Sequence, residues 1–547
     1  MHEVTFYPSK IKVTAEEGRN LLSLIREHGV DLASECGGTG TCGKCRVRLE
    51  SATVIDGKGH PGPEGRQGRI RLACHCHVTE DIVVTIPESS QALIKVLDQG
   101  VRGRYLFGPP AVRRQNNGWR DGARFGVAVD IGTTTVVAAL VDLASGQELS
   151  KKSARNPQQV YGLDVLNRAR YAQTDQYGPL NLQRKVVAVI NDLVAQACHE
   201  AGASRERIVD VCLSGNQFML RFLRREDTSD LTVPPYEARS SASVSQAPSD
   251  LGLDMGEHGT AYSLPSASAF IGADIVAGLV AVDIDKWERP VLLIDIGTNG
   301  EMVLADKDGL CACSTAAGPA FEGVNISCGV SAINGAVEGV FLDNDERRLS
   351  LEVIGEAEPV GLCGTGLIDL VAELVKVGVI DRTGRYSAGA EGWVYGNDDY
   401  MGQLRQKGAQ RSFVITDRRT SKDLFSLSQR DVREVQLAKA AIRAGMDLLL
   451  KERGLRQGDL HTVLIAGGFS HKLRPESLVQ LGVLSSQLGD HVEVVGNTSL
   501  SGAYLALVSE KARERVETIS KLIKTVNLST HPEFERSFIE NMRFPTS

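Results

Sequence analysis

Near the start of the chain, Cys36, Cys42 and Cys45 share one glycine-rich loop, and Cys74 follows further on. The loop reads Cys36-Gly37-Gly38-Thr39-Gly40-Thr41-Cys42-Gly43-Lys44-Cys45, a C-x5-C-x2-C spacing. Thiolates are soft metal ligands, and intervening glycines let the backbone wrap a cluster and turn N–H groups toward sulfur. Structural zinc usually takes two short-spaced cysteine pairs, whereas Cys74 has only Cys76 beside it. The spacing differs by one residue from the plant-type [2Fe–2S] pattern, so an iron–sulfur cluster is expected, with zinc as the alternative.

A second chemistry is carried by a turn that occurs twice. Val127-Ala128-Val129 runs into Asp130-Ile131-Gly132-Thr133-Thr134-Thr135, and Val291-Leu292-Leu293-Ile294 runs into Asp295-Ile296-Gly297-Thr298-Asn299-Gly300-Glu301. Each reads as two buried strands joined by a tight turn with one acid, one glycine and hydroxyl or amide side chains. Such a tip suits a nucleotide: glycine admits phosphate to the backbone, threonine donates hydrogen bonds, and the acid can hold Mg²⁺ through water. A single copy would be an ordinary hairpin turn; two copies point to a duplicated ATP-binding fold.

The elements around these turns repeat as well. Leu182 to Ala201 is expected to be a helix capped by Gly202, followed by a strand, Ile208 to Leu213, that ends in Ser214-Gly215-Asn216. In the second half Ser428 to Glu452 is expected as a helix, and the strand Thr462 to Ala466 ends in Gly467-Gly468-Phe469. Absent side chains there would admit adenosine, although a helix start with no ligand reads equally well. Segments 225–268 and 382–427, rich in polar and turn residues, are expected as rim insertions. A helix over 501–524 is expected to pack Ala503, Leu505, Leu507 and Val508 on the second lobe, with a solvated tail behind it.

With 547 residues and 42% hydrophobic content, the chain can build several cores. A net charge of −7 gives no pointer to nucleic acid or an anionic membrane, and no apolar run is long enough to span one. The N-terminus has no signal-peptide pattern, and eleven cysteines spread over a long chain suit metal ligation plus buried thiols, so a cytoplasmic location is expected.

Residues 1–88 resemble [2Fe–2S] ferredoxins, from the strand pair Val4 to Val13, through the helical segment Asn20 to Gly29, to Ile82-Val83-Val84-Thr85-Ile86. The resemblance implies Cys36, Cys42, Cys45 and Cys74 as cluster ligands, with Cys76 a bystander or a swapped ligand. Residues 124–510 resemble the superfamily of acetate and sugar kinases, actin and heat-shock chaperone ATPases. That implies Asp130 to Thr135 as the first phosphate loop, Asp295 to Asn299 as the second, and Gly467, Gly468 and Phe469 at adenosine. The expected fold is therefore α/β and multidomain. It has a small α+β ferredoxin domain of β-grasp type (1–88), a linker (89–122), and a duplicated two-lobed actin/sugar-kinase-like ATPase whose lobes are 123–288 and 289–547.

Together with the run Ala316-Ala317-Gly318-Pro319-Ala320-Phe321-Glu322-Gly323 and the helix opening at Gly361 to Leu370, the combination resembles the ATP-dependent reductive activators of corrinoid proteins. The family implies one-electron reduction of inactive cob(II)alamin to cob(I)alamin in a methyltransferase system. It implies a [2Fe–2S] cluster, ATP and Mg²⁺ as cofactors, and as partners a corrinoid protein and a low-potential electron donor. Asp130 and Asp295 are the expected catalytic acids at Mg²⁺ and water, with Gly132, Thr133, Thr134, Gly297, Thr298 and Asn299 around phosphate. Some relatives carry an extra domain between ferredoxin and ATPase parts, and the gap here leaves no room for one, so homodimerisation through it is in doubt. Ser314, Thr315 and Ser327 are ordinary hydroxyls or residues facing the corrinoid partner. Three other readings stay open. One is a dehydratase-activator-like ATPase using Cys311, Cys313, Cys328 and Cys363 for a second cluster. Another is a small-molecule kinase with a ferredoxin-like domain, and the third a redox sensor.

Overall fold

Alternating and continuous apolar strands, separated by amphipathic helices, set the architecture of this computed structural model. It describes residues 1–28, 30, 32, 45–49, 69–87, 125–256, 259–323, 325–343, 347–355, 357–390, 392–396, 399–468 and 472–545. Cys36, Cys42, Phe469, Gly29 and the expected linker over 89–122 lie outside these. Contacts divide the chain into two units, 1–94 with 157–171, and 95–156 with 172–547.

The first unit holds a five-stranded mixed sheet in the spatial order Ile11–Ala15, His2–Tyr7, Ile82–Thr85, Arg46–Leu49, Arg69–Leu72. His2–Tyr7 and Ile82–Thr85 lie parallel at its centre, as a β-grasp requires. The helix Leu21–Glu27 buries Leu21, Leu22, Leu24 and Ile25 in the same core as Val4, Phe6, Val47 and Val84.

In the second unit two six-stranded sheets repeat one order over five strands, and the sixth strand is added at opposite edges. The first runs Val244–Gln246, Thr260–Ser263, Ile208–Gly215, Phe125–Ile131, Thr135–Asp142, Gln147–Arg155. The second runs Val492–Gly496, Thr462–Ala466, Val291–Ile296, Gly300–Asp306, Gly309–Thr315, Lys524–Val526. In each, the hairpin carrying the Asp-x-Gly-Thr turn is antiparallel and its first strand pairs in parallel with the strand that ends in a glycine turn. The duplication is thus one of topology as well as of motif. Central strands are buried on both faces, which accounts for their unbroken apolar runs.

The flanking helices follow their apolar stripes. Gly178–Ala201 buries Leu182, Val186, Ile190, Leu193 and Ala197, and Gly202 closes it in the left-handed conformation at φ 62°. Gln429–Glu452 starts at a capping box between Ser428 and Asp431.

Three expectations are corrected. The 225–268 segment is not all insertion: Thr260–Ser263 is a core strand, parallel to Ile208–Gly215, whose mixed polar composition masks it. The expected 501–524 helix is two, Thr498–Val508 and Glu510–Leu522, broken at Ser509, which caps the second through Ala512 N–H. The first of these packs on the first lobe and not the second. A Cβ on Gly502 would lie 2.0 Å from the Ala277 carbonyl oxygen, and one on Gly126 would meet Leu507 at 3.0 Å. The tail is likewise held: Phe544 is buried, its N–H donates to the Arg382 carbonyl at 2.9 Å, and Lys439 Nζ donates to the Arg543 carbonyl. The 382–427 segment does form a separate feature, centred on an antiparallel four-stranded sheet of Val394–Tyr395, Tyr400–Lys407, Gln410–Asp417 and Lys422–Ser428.

Candidate functional site

Both Asp-x-Gly-Thr turns close through the glycine N–H, the first over one residue more than the second. Gly132 N–H donates to the Thr135 carbonyl and Gly297 N–H to the Asn299 carbonyl, each at 2.9 Å. A Cβ on Gly132 would lie 2.6 Å from the Thr135 oxygen, so that turn closes only around glycine. Asn156 Nδ2 donates to the Gly132 carbonyl at 2.8 Å, and Asn216 Nδ2 to Thr133 Oγ1 at 3.0 Å while capping the helix Gln217–Arg224.

Both turns converge on one carboxylate. Thr134 Oγ1 donates to Glu322 Oε2 at 2.8 Å, and Thr298 Oγ1 donates to Glu322 Oε1 at 3.0 Å. Burial pushes the Glu322 carboxyl above its ordinary range, with the two threonine hydroxyls and Arg155 pulling the other way.

Asp130 and Asp295 occupy matching strand positions and have different surroundings. Asp130 accepts from Asn497 Nδ2 at 2.9 Å and Ser499 Oγ at 2.7 Å, at the N-terminus of the helix Thr498–Val508. Burial raises its pKa, and those two hydrogen bonds oppose the rise. Asp295 faces Glu301 directly across its hairpin, where the first lobe has Val137 opposite Asp130. Its carboxyl is pushed up to about 7 by burial, then by repulsion from Asp274, Asp130 and Glu322.

Asp274, near the N-terminus of the helix Ala273–Ala281, is also pushed up to about 7, by burial and by Asp130. Glu301 stands well above the carboxylate range, through burial and its neighbours Asp274 and Asp295. Five buried carboxylates thus have raised pKa values around the paired turns, and in Asp274, Asp295 and Glu301 repulsion from neighbouring carboxylates adds to burial. Such a set suits a divalent cation and its nucleotide. Among the described residues no three His, Cys, Asp or Glu side chains form a cage for a bare ion. Mg²⁺ here would be held through water and phosphate oxygen, the usual habit of that ion.

The glycine turn of the second lobe lies against the second Asp-x-Gly-Thr turn. A Cβ on Gly467 would approach the Ile296 carbonyl to 2.5 Å and Asp295 Oδ1 to 3.3 Å, while one on Gly468 would meet none of the described residues within 4 Å. Among the described residues Gly468 therefore borders open space, as an adenosine position needs.

In the first unit, Cys45 Sγ and Cys74 Sγ are in contact at 3.3 Å, a pairing that fits two adjacent ligands of one cluster. Cys76 is turned elsewhere. Its thiol donates to the Leu72 carbonyl at 3.3 Å, and burial pushes its pKa up to about 11. Cys313 Sγ is directed at the Gly445 carbonyl and Cys363 Sγ contacts Thr365 Oγ1, so these thiols are packed as core groups. Ser314 donates to Glu301 and Ser327 N–H to Asp431, while Thr315 is buried.

Sequence reasoning missed Asp274, Glu301, Asn216, Asn497 and Ser499 as site residues, and gave Glu322 no role. The duplication contained the signal for two of them. Asp274 and Ser499 are both the second residue of the helix that follows the fifth common strand of each lobe.

Comparison with known proteins agrees with this geometry. Residues 4–79 match the 2Fe-2S iron-sulfur cluster binding domain, 125–287 the RACo middle region, and 289–547 the C-terminal domain of RACo, the ASKHA domain. The chain is 31% identical over 423 residues to the corrinoid activation enzyme RamQ of Eubacterium limosum, covering 77% of this chain and 70% of that protein. It is 26% identical to the [Co(II) methylated amine-specific corrinoid protein] reductase of Methanosarcina barkeri, covering 74% of each. Among solved structures it is similar to a reductive activator for corrinoid, iron-sulfur protein, with a TM-score of 0.71, 28% identity, and 100% and 98% of the two chains covered. With its cluster-binding domain, its duplicated nucleotide cleft and these relatives, the chain belongs to the family of ATP-dependent reductive activators of corrinoid proteins.

Proposed function

We infer that this protein reductively activates a corrinoid protein at the expense of ATP, returning cob(II)alamin to cob(I)alamin in a methyltransferase system. The observation that carries this is the joining, in one chain, of an adjacent cysteine pair in a ferredoxin fold to a cleft where both phosphate turns meet on Glu322. The [2Fe–2S] cluster supplies single electrons when bound.

Cys36, Cys42, Cys45 and Cys74 are proposed as its ligands, and the contact between Cys45 and Cys74 supports the last two. Asp295 is proposed to orient Mg²⁺ water, because its repulsive neighbours Asp274 and Glu301 are relieved by a cation. Asp130, already tied to Asn497 and Ser499, is proposed to fix the first turn and its water. Gly132, Thr133, Thr134, Gly297, Thr298 and Asn299 would surround phosphate, and Gly467, Gly468 and Phe469 adenosine. The division into 1–88, 89–122, 123–288 and 289–547 is proposed as the functional one, with the helix Thr498–Val508 lent by the last to its neighbour.

Plant-type clusters lie near about −400 mV, and each 100 mV by which the cobalt couple lies lower opposes transfer by about 2.3 kcal/mol per electron. We favour partner binding as the step that raises the cobalt potential, with nucleotide state then setting release, because a ligand shifts a two-state protein only through differential affinity. A low-potential electron donor and a homodimer rest on the family resemblance. A cytoplasmic location is supported by the seven described cysteines outside the proposed ligand pair, which are free of disulfides. No described helix is long and apolar enough to cross a membrane.

The test is ATP turnover with and without a corrinoid protein. Partner-stimulated release of inorganic phosphate, with no phosphorylated metabolite formed, is expected. Stoichiometric phosphorylation of a small molecule would favour the kinase reading instead.

A further inference from the structure

We propose that Glu322 is an internal stand-in for the terminal phosphate of ATP, and that its displacement is how the protein tells ATP from ADP. The proposal rests on the nucleotide reading of the cleft and adds a residue that reports which nucleotide is there.

The argument starts from donor counting. A threonine hydroxyl has one proton and can donate to one acceptor at a time. In this structure both donors are committed to a single group: Thr134 Oγ1 to Glu322 Oε2 at 2.8 Å and Thr298 Oγ1 to Glu322 Oε1 at 3.0 Å. Thr134 belongs to the phosphate turn of the first lobe and Thr298 to that of the second. One planar anion with two oxygens therefore takes a hydrogen bond from each lobe, the same demand that a phosphoryl group between the turns would make. The two anions cannot hold these protons together, and their charges repel. A nucleotide whose terminal phosphate reaches both turns must turn Glu322 out, and one that stops short leaves it in place.

The backbone around Glu322 restricts the response to its side chain. Glu322 ends the short helical turn Pro319–Glu322, and Gly323 follows at φ 75°, where a Cβ would lie 2.9 Å from the Val330 carbonyl. Gly364, opening the helix Gly364–Lys376, lies so close that a Cβ would sit 1.8 Å from the Phe321 carbonyl, and Phe321 is fully buried. The next stretch of chain carries two further anchors. Ser327 bonds to Asp431 at the start of the helix Gln429–Glu452, and Ser331 Oγ accepts from Arg155 Nη2 of the first lobe at 2.6 Å. A Glu322 released from the threonines loses a bridge between lobes and stays next to the segment that carries another. Terminal phosphate is thereby converted into a change in how the lobes are tied.

The test compares a non-hydrolysable ATP analogue with ADP, by calorimetry on the full-length, cluster-loaded protein. Glu322→Gln keeps the shape and removes the charge; Glu322→Ala removes the competitor. With the competitor weakened, the ATP analogue should bind about tenfold more tightly to Glu322→Gln, and at least as tightly to Glu322→Ala, while ADP affinity stays at the wild-type value. Unchanged ADP affinity also reports an intact fold, and a purely structural role would weaken both nucleotides together. Unchanged or weaker binding of the analogue to Glu322→Gln would overturn the proposal and leave the nucleotide reading standing. If the wild-type protein bound neither nucleotide, that reading would fail and this one with it.

Discussion

Asp295 and Glu301 face one another across a single hairpin, with Asp274 close enough to repel both. Removing the charge of Asp295 should abolish nucleotide-dependent activation and leave the visible spectrum of the cluster unchanged. Cys45→Ser should do the reverse, bleaching the cluster while ADP still binds. The acids also predict a pH dependence of known sign. Asp274 and Asp295, at about 7 in the fold against an ordinary 3.8, hold protons in the folded state that the unfolded chain has released. The stability these groups contribute should therefore be fully present below about pH 4 and be lost as pH rises toward about 7, read as a falling melting temperature. Mg²⁺ with an ATP analogue should flatten the slope, and Asp295→Asn should reduce it; a slope identical in the variant would show the acids are not its source. Asp130, Asp295 and the threonines were legible in the sequence because the motif repeats. Asp274 and Ser499 were not, because they align only once the fifth strand of each lobe is known, and Thr260–Ser263 hid that strand in the first. Glu322 was visible as part of a family run, but only folding brings it to Thr134, a residue far away in the chain.

At the scale of elements, the nucleotide cleft depends on a helix borrowed across the lobes. Thr498–Val508 brings Asn497 and Ser499 to Asp130 because Gly502 lets it lie on the Ala277 backbone and Gly278 lies under Thr498. Gly502→Ala adds helix propensity worth about 1 kcal/mol in an exposed helix. Here the methyl would be 2.0 Å from a carbonyl oxygen, and backbone cannot yield as a side-chain tip can. The variant should melt several degrees lower and lose ADP affinity, measurable by differential scanning fluorimetry. Gly468→Ala, with none of the described residues within 4 Å of its new carbon, should keep the wild-type melting temperature and weaken nucleotide binding alone. Hydrophobic periodicity read helix existence well, as for Gly178–Ala201. It did not read partnership: the leucines of Thr498–Val508 are apolar whichever lobe they face, and Phe544 in a charged tail carries no periodic signal at all.

For the whole molecule, the two halves repeat one sheet order and differ where charge matters. Opposite its turn aspartate the first lobe has Val137 and the second Glu301, and at the second position of the matching helices stand Asp274 and Ser499. Duplication supplies the cleft, and this asymmetry places the acidic cluster on one side of it and a neutral clamp on the other. ATP is then read by ties between lobes, in a chain that also carries a single-electron centre, which is the combination expected of a protein that restores cobalt rather than phosphorylating a metabolite. The decisive measurement is the electron paramagnetic resonance signal of cob(II)alamin in a corrinoid protein, mixed anaerobically with a low-potential reductant and a catalytic amount of the cluster-loaded protein, so that full loss of the signal requires release of each activated partner. Loss of that signal is predicted with ATP and not with ADP, and not with Cys45→Ser. Loss at the same rate without nucleotide, or none with ATP present across the corrinoid proteins encoded beside this chain, would contradict the account.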